Sequence, residues 1–255
     1  MSHDFTAYLA ALLPVTEQAG AAIMRYYRMP IDVHRKDDNS PTTIADAAAE
    51  EIILKALSAL TPDIPVVAEE AVAEGRIPVL PDNATFWLVD PLDGTKEFLK
   101  QTDQFTVNIG LIVNGVPVFG IVGAPALGVL YYGYPGFCAV RRGEDEVVLP
   151  RRTAATPPYR VVTSKSHADA GDIKELLGDI PIKSMVPAGS SLKFCLVADG
   201  SADFYPRRGT TMEWDTAAGD AVVRAAGAVV LGLDGQPLQY QKPEFRNSGF
   251  VVRVV

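Results

Sequence analysis

Apolar residues recur at helical spacing over residues 5–27, where Phe5, Tyr8, Leu9, Leu12, Leu13, Ile23, Met24 and Tyr27 outline one face. Pro14 falls inside this pattern and marks the start or kink of a turn. Residues 36–43 are polar and turn-rich and predict a loop. Residues 45–60, rich in Ala, Glu, Leu and Ile, predict a helix with Thr43 at its N-cap and Asp46 as the capping-box acid. Residues 64–68 and 86–89 are short apolar runs that end in acids, as buried strands. Residues 105–112, 116–122, 128–132 and 137–141 predict an antiparallel meander whose first turn carries the hairpin pair Asn114-Gly115.

A polar, proline-rich stretch at 149–158 separates this pattern from a second one. Beyond it, strands are predicted at 159–163, 182–186, 202–205, 229–231 and 249–254, with helices at 168–177, 191–198 and 216–226. The sum is an α+β chain: an N-terminal domain over 1–153, with an antiparallel sheet and most of the candidate acids, and a C-terminal α/β domain over 154–255.

Composition narrows the function classes. The chain has 255 residues, is 48% hydrophobic, and carries 23 Lys and Arg against 31 Asp and Glu, a formal net charge of −8. It is long enough to bury a sizeable core. The acidic surplus excludes a polyanion held on a basic surface, so neither a nucleic-acid polymer nor an anionic lipid is an expected partner. Residues 104–140 contain no charged side chain, a run longer than a membrane span. Asn108, Asn114-Gly115, Pro117, Pro125, Gly133 and Pro135-Gly136 interrupt it, which predicts buried strands and turns and no integral membrane segment. The N-terminus carries Asp4 and no basic region ahead of its apolar residues, unlike a secretory signal. Two cysteines, Cys138 and Cys195, make neither a disulfide framework nor a zinc pattern, which points to a reducing, cytoplasmic setting.

The chemistry sits in acids at the ends of apolar strands. In Trp87-Leu88-Val89-Asp90-Pro91-Leu92-Asp93-Gly94-Thr95, a hydrophobic run enters an acid, a proline and a second acid. Pro91 fixes φ and turns the chain, so Asp93 returns beside Asp90 with the Leu92 carbonyl facing inward. Three hard oxygen donors suit Mg²⁺ or Mn²⁺. Gly94-Thr95 then opens a short helix whose free N–H groups suit a phosphate. An isolated Asp-Gly-Thr is as a rule a surface turn, but a core strand rarely ends in two unpaired acids. Glu69 ends the preceding strand, where a solvated loop is the plainer reading. Asp215 precedes the helix at 216–226, where N-cap and ligand roles are both open. Lys193 lies on an otherwise apolar helix and is either a snorkelling side chain or an anion contact. His167 is a helix-entry residue or a ligand contact, and Ser190-Ser191 either cap the following helix or bind an anion there.

Two long motifs carry a resemblance. Asp90-Pro-Leu-Asp93-Gly-Thr95, flanked by Trp87 and Phe98, and Trp214-Asp215-Thr-Ala-Ala-Gly219, with Gly227-Ala228 beyond it, resemble the two signatures of the inositol monophosphatase superfamily. The resemblance spans nearly the whole chain. It implies the layered α-β-α-β-α sandwich of the inositol monophosphatase and fructose-1,6-bisphosphatase type. It implies Mg²⁺-dependent phosphatase activity with two or three ions, Mn²⁺ as a substitute, and Li⁺ as an inhibitor. Residues 36–43, Ala45-Asp46, Ala68-Glu69-Glu70, Ser164-Lys-Ser-His167, residues 189–198 and Tyr205-Pro-Arg207 resemble the bacterial 3'(2'),5'-bisphosphate nucleotidases within it. Ala71 departs from that branch, which often has another acid there.

Carried over, Glu69, Asp90, Asp93, Asp215 and the carbonyl of Leu92 are the implied metal ligands, and Asp46 with Thr95 orients and deprotonates the attacking water. Ser190, Ser191, Lys193, Arg207 and His167 are implied to hold the nucleotide, alongside Glu69, Leu92, Asp93, Gly94, Thr95 and Asp215 at the scissile phosphate. Inositol phosphatases carry an acid seven residues before the second-signature Asp. Here that position is Arg208, so Arg207 and Arg208 form a basic pair that suits a second phosphate. The implied substrate is adenosine 3',5'-bisphosphate, a small phosphorylated nucleotide. An inositol or sugar phosphatase on the same scaffold is the alternative, and a non-enzymatic nucleotide-binding protein is a third. Monomer and homodimer both stay open, as does peripheral association with the inner face of the cell membrane.

Overall fold

Side-chain alternation along one strand shows how the first sheet is covered. In Thr85–Asp93, Phe86 and Leu88 enter one core cluster while Trp87 and Val89 enter another, and all four are fully buried. A sheet packed on both faces needs nearly continuous apolar strands, which accounts for the charge-free stretch at 104–140. The computed structural model describes residues 3–27, 34–35, 41–42, 44–165 and 170–254.

The elements of the first half are α1 (Phe5–Tyr26), α2 (Ile44–Leu60), β1 (Val66–Ala68), α3 (Glu69–Ala73), β2 (Thr85–Asp93), α4 (Thr95–Leu99), β3 (Thr106–Val113), β4 (Val116–Ala124), β5 (Val129–Tyr134), β6 (Phe137–Arg142) and β7 (Asp145–Val148). Strands β1 to β7 form one sheet in sequence order, parallel between β1 and β2 and antiparallel thereafter. The second half supplies β8 (Tyr159–Ser164), α5 (Ala170–Leu177), β9 (Ile182–Ala188), α6 (Leu192–Ala198), β10 (Phe204–Arg207), α7 (Glu213–Ala225), β11 (Ala228–Gly232) and β12 (Phe250–Val254). Its mixed sheet has the order β9-β8-β10-β12-β11. Two further strand pairs are short, His34–Arg35 with Pro41–Thr42 and Thr211–Met212 with Arg246–Asn247.

Helices α1 and α2 cover the outer face of the seven-stranded sheet, α6 and α7 fill the space between the two sheets, and α5 lies against β10. This is the α-β-α-β-α order that the resemblance implies. A row of glycines sets how closely α7 approaches. Gly110, Gly120 and Gly133 are ladder partners across β3, β4 and β5. A methyl group on Gly120 would stand 2.2 Å from the Ala218 carbonyl oxygen, and one on Gly110 would stand 2.9 Å from the Ala217 methyl. The helix therefore lies in a groove with no side chains at its floor, and its first turn is carried to the end of β2.

The differences from the sequence reading have local causes. Helix α7 starts at Glu213 because the Asp215 carboxylate accepts from the Met212 N–H, making Asp215 an N3 residue. Strand β2 runs on to Asp93 because Asp93 pairs with Thr106 after a bulge that follows Asp90. Glu69 and Glu70 begin a helix, where a loop was expected. Strand β7 has no apolar core face and gave no pattern to read. Pro14 sits on the exposed side of an unbroken α1. The proposed cap Thr43 lies outside the described residues. Among the described residues one helix, α1, is long and apolar enough to cross a membrane. Its Leu12, Ala19 and Ile23 are fully buried in the core it shares with α2 and the sheet. Both cysteines are free and buried.

Candidate active site

The acids converge because each stands where an element ends or begins beside β2. Glu69 opens α3 directly after β1, whose Ala68 is the ladder partner of Val89. Asp90 turns back on itself: its carboxylate accepts from the Leu92 N–H at 3.0 Å, and so holds the Pro91 turn. Asp46 lies in the first turn of α2 and is 2% exposed. Asp215 arrives on α7 from the far side of the sheet. The carboxyl of Asp90 is held well above the ordinary range, first by burial and then by the charges of Glu69, Asp93, Asp215 and Asp46. Asp215 is raised for the same reasons, chiefly burial and then Asp93 and Glu69. Five acids that are distant in sequence therefore feel one another in a single buried region.

Among the described residues no three His, Cys, Asp or Glu side chains form a closed coordination group. The acids share a field and not a finished cage. The donor chemistry fits a hard divalent cation: carboxylates with the Leu92 carbonyl nearby, and no nitrogen or sulfur. Their mutual repulsion in a buried site is the term that such a cation relieves.

Gly94 joins the acid loop to the second half of the pocket. It takes the left-handed φ of +92°, and a methyl group there would stand 3.3 Å from the Ser190 Cβ. Thr95 follows at the start of α4 and donates its hydroxyl to the Leu92 carbonyl at 3.4 Å. A cavity of about 130 Å³ opens beyond, and Asp93, Asp215, Ser190, Lys193 and Arg207 are among the residues that line it.

Lys193 does not snorkel: it is 3% exposed, and its ammonium donates to the carbonyls of Ser190 and Ala188 and lies 5.3 Å above the Tyr205 ring. Burial pushes its pKa down to about 8, opposed mainly by the charge of Asp93. Ser190 has a left-handed φ of +46°, rare for a residue with a side chain, and its buried hydroxyl has no partner in the described structure. The Ser191 hydroxyl is engaged with Thr106 and Asn108. His167 lies outside the described residues.

One expectation is corrected. Arg207 lines the cavity, but Arg208, the next residue, faces the opposite side of the sheet and pairs with Glu175 on α5. Arg207 is the last residue of β10 and Arg208 the first beyond it, and their side chains part there, one toward the cavity and one toward α5. Residues to which the sequence reading gave no site role of their own are Glu97, Ser164 and Tyr205 in the cavity wall, and Thr106 and Asn108 behind it. The available signal was the alternation of Thr106 and Asn108 in an otherwise apolar strand, on the face that also carries Gly110.

The architecture is a five-layer sandwich with an acid-lined cleft between its two sheets. The chain belongs to the inositol monophosphatase family, whose model matches residues 6–249. It is 47% identical over 248 residues to the 3'(2'),5'-bisphosphate nucleotidase CysQ of Shigella flexneri, covering 94% of this chain and 97% of the relative. The crystal structure of CysQ from Bacteroides thetaiotaomicron, a bacterial member of the same family, superposes with a TM-score of 0.78 at 36% identity over 98% of both chains. The Thermotoga maritima IMPase shares the fold at a TM-score of 0.76 and 22% identity, covering 97% of this chain and 92% of its own.

Proposed function

We propose that the protein is a Mg²⁺-dependent 3'(2'),5'-bisphosphate nucleotidase that hydrolyses the 3'-phosphate of adenosine 3',5'-bisphosphate to AMP and inorganic phosphate. One observation carries the reading: a single cavity is lined by Asp93 and Asp215 of the acid cluster together with Lys193, Arg207 and Ser190, whose hydroxyl is unpartnered. The likeness to nucleotidases over 94% of the chain supports it.

Glu69, Asp90, Asp93, Asp215 and the Leu92 carbonyl would hold the divalent cation. When bound, it supplies Lewis acidity toward the phosphoryl oxygens and the attacking water. Asp46 accepts the proton of that water, and the Thr95 hydroxyl orients it for in-line attack on phosphorus. The bond between phosphorus and the ribose 3'-oxygen breaks with its electron pair going to that oxygen, which takes a proton from solvent water, and the nucleotide leaves as AMP while Asp46 returns its proton to solvent. Lys193 and Arg207 face the remainder of the substrate and favour a second phosphate over a neutral polyol. Asp93 and Arg207, neighbours in one cavity, thus divide the work between reaction and recognition. Neither cysteine takes part, since burial raises both thiols well above neutrality.

Phosphate release from adenosine 3',5'-bisphosphate, inositol 1-phosphate and fructose 1,6-bisphosphate, each with and without Mg²⁺, tests the proposal. Preferred, Mg²⁺-dependent release from the nucleotide is expected. Faster release from either sugar phosphate overturns the substrate, and no release from any overturns the enzymatic reading.

A further inference from the structure

Behind the cavity wall a chain of four polar side chains runs through an otherwise apolar layer. Thr106 and Asn108 lie on β3 as the ladder partners of Asp93 and Asp90. Both are fully buried, as is Ser191 at 1% exposure. The Ser191 hydroxyl lies 2.6 Å from the side-chain oxygen of Asn108 and 2.8 Å from the Thr106 hydroxyl, which in turn lies 3.5 Å from Asp93 Oδ2. The Ser191 backbone N–H also favours the charged form of Asp93.

Counting protons decides the direction of this chain. With the amide oxygen of Asn108 toward Ser191, the serine spends its one proton on Asn108. Thr106 must then choose between Ser191 and Asp93, and the buried Nδ2 of Asn108 is left without a partner. The two ends of a carboxamide have the same shape, so the hydrogen-bond network assigns them. With the nitrogen toward Ser191 each of the three contacts holds one proton: one Asn108 N–H donates to Ser191, Ser191 to Thr106, and Thr106 to Asp93. Only this orientation places a proton in all three contacts, the last of them to a carboxylate, which favours it.

We propose that Asn108, Ser191 and Thr106 form a one-way donor relay that ends on the Asp93 carboxylate, which makes Thr106 and Asn108 positioning residues for the acid site. The relay also fastens Ser191, at the start of α6, to the strand beside the acids. Helix α6 carries Lys193, so the recognition wall and the acid wall keep one spacing. The proposal deepens the function proposed above and rests on its reading of Asp93 as a cation ligand.

Direct Mn²⁺ titration in the absence of substrate tests it, alongside thermal unfolding in chelator and steady-state kinetics. Thr106→Val keeps the shape and deletes the hydroxyl; Thr106→Ser keeps the hydroxyl and deletes the methyl. Thr106→Val is expected to bind Mn²⁺ about tenfold more weakly, as for loss of a hydrogen bond to a charged group, while Thr106→Ser stays within about twofold of wild type. Asn108→Asp deletes both donors and is also expected to weaken Mn²⁺ binding. Its added charge alone would tighten Mn²⁺, so weakening is the signature of the relay. A purely structural role lowers the unfolding midpoint of Thr106→Val and leaves its Mn²⁺ affinity and kcat unchanged. Wild-type Mn²⁺ affinity in either Thr106→Val or Asn108→Asp, or loss of affinity in Thr106→Ser, overturns the relay. A wild-type protein that binds no Mn²⁺ overturns the cation reading itself, a distinct result.

Discussion

Arg207 ends β10, and Arg208, the next residue, turns toward the other face of its sheet. Arg207 enters the cavity beside Asp93 and Asp215, whereas Arg208 pairs with Glu175 on the outer helix α5. Their substitutions should therefore separate. Arg207→Ala is expected to lower kcat/KM for adenosine 3',5'-bisphosphate about 10- to 100-fold, as for loss of a charge-assisted contact, with a smaller loss on a monophosphate. Arg208→Ala, at an exposed pair, should stay within about twofold. Equal losses in the two variants contradict the geometry.

Asp93 stands between the acids and Lys193, and burial raises its carboxyl pKa despite the opposing charge of Lys193. Asp93→Asn should nearly abolish phosphate release while leaving the circular dichroism spectrum unchanged. It also removes one of several mutually repelling charges, so its unfolding midpoint in chelator should lie above that of the wild type. Near-normal turnover would remove Asp93 from the reaction.

Glu50 gives a pH dependence outside the reaction. It is 3% exposed and accepts from the Glu70 N–H at 2.8 Å. Burial is the main cause that raises its carboxyl from 4.5 to about 7, with the Glu70 charge adding to it and the backbone N–H groups of Glu70 and Ala71 opposing. A carboxyl raised in the folded state binds protons more tightly there than in the unfolded chain. Its ionisation therefore costs stability as pH rises from 4.5 to about 7. Glu50→Gln removes that loss. In denaturant titrations with chelator, its stability relative to wild type should rise between pH 4 and pH 8 by at most about 3 kcal/mol. A constant difference across that range would show that Glu50 does not titrate there.

Gly120 bears on the placement of Asp215. A methyl group at Gly120 meets the Ala218 carbonyl oxygen at 2.2 Å, a backbone atom that cannot rotate away. Gly120→Ala should cost about 1–3 kcal/mol by denaturant titration, in the range of overpacked cores. It should also weaken Mn²⁺ binding, because α7 must move off the sheet and carries Asp215 with it. Unchanged stability would mean that the helix is not seated in the glycine groove.

Much of the fold was legible along the chain. Long apolar periodicities announced α1 and α2, and the Asn114-Gly115 turn, with φ of +52° and +74°, announced the hairpin between β3 and β4. Exposed β7 escaped because an edge strand with no buried face has no alternation to read. Among the site residues, the acids were legible because a charged residue at the end of a buried strand breaks the pattern. Arg208 was misplaced because a count of residues from Asp215 does not say which way a side chain turns once β10 has ended.

The sequence by itself determined the elements, the acids that end them, and the two motifs that mark the family, since each depends on residues close together in the chain. Tertiary structure alone decided that Asp46, Glu69, Asp90, Asp93 and Asp215 share one field, that Arg207 and not Arg208 meets the cavity, and that Thr106 and Asn108 stand behind Asp93. Those facts depend on how closely α7 approaches the glycines of the sheet and on the register of β2 against β3. Register and close approach are properties of two segments at once, and neither segment encodes them alone.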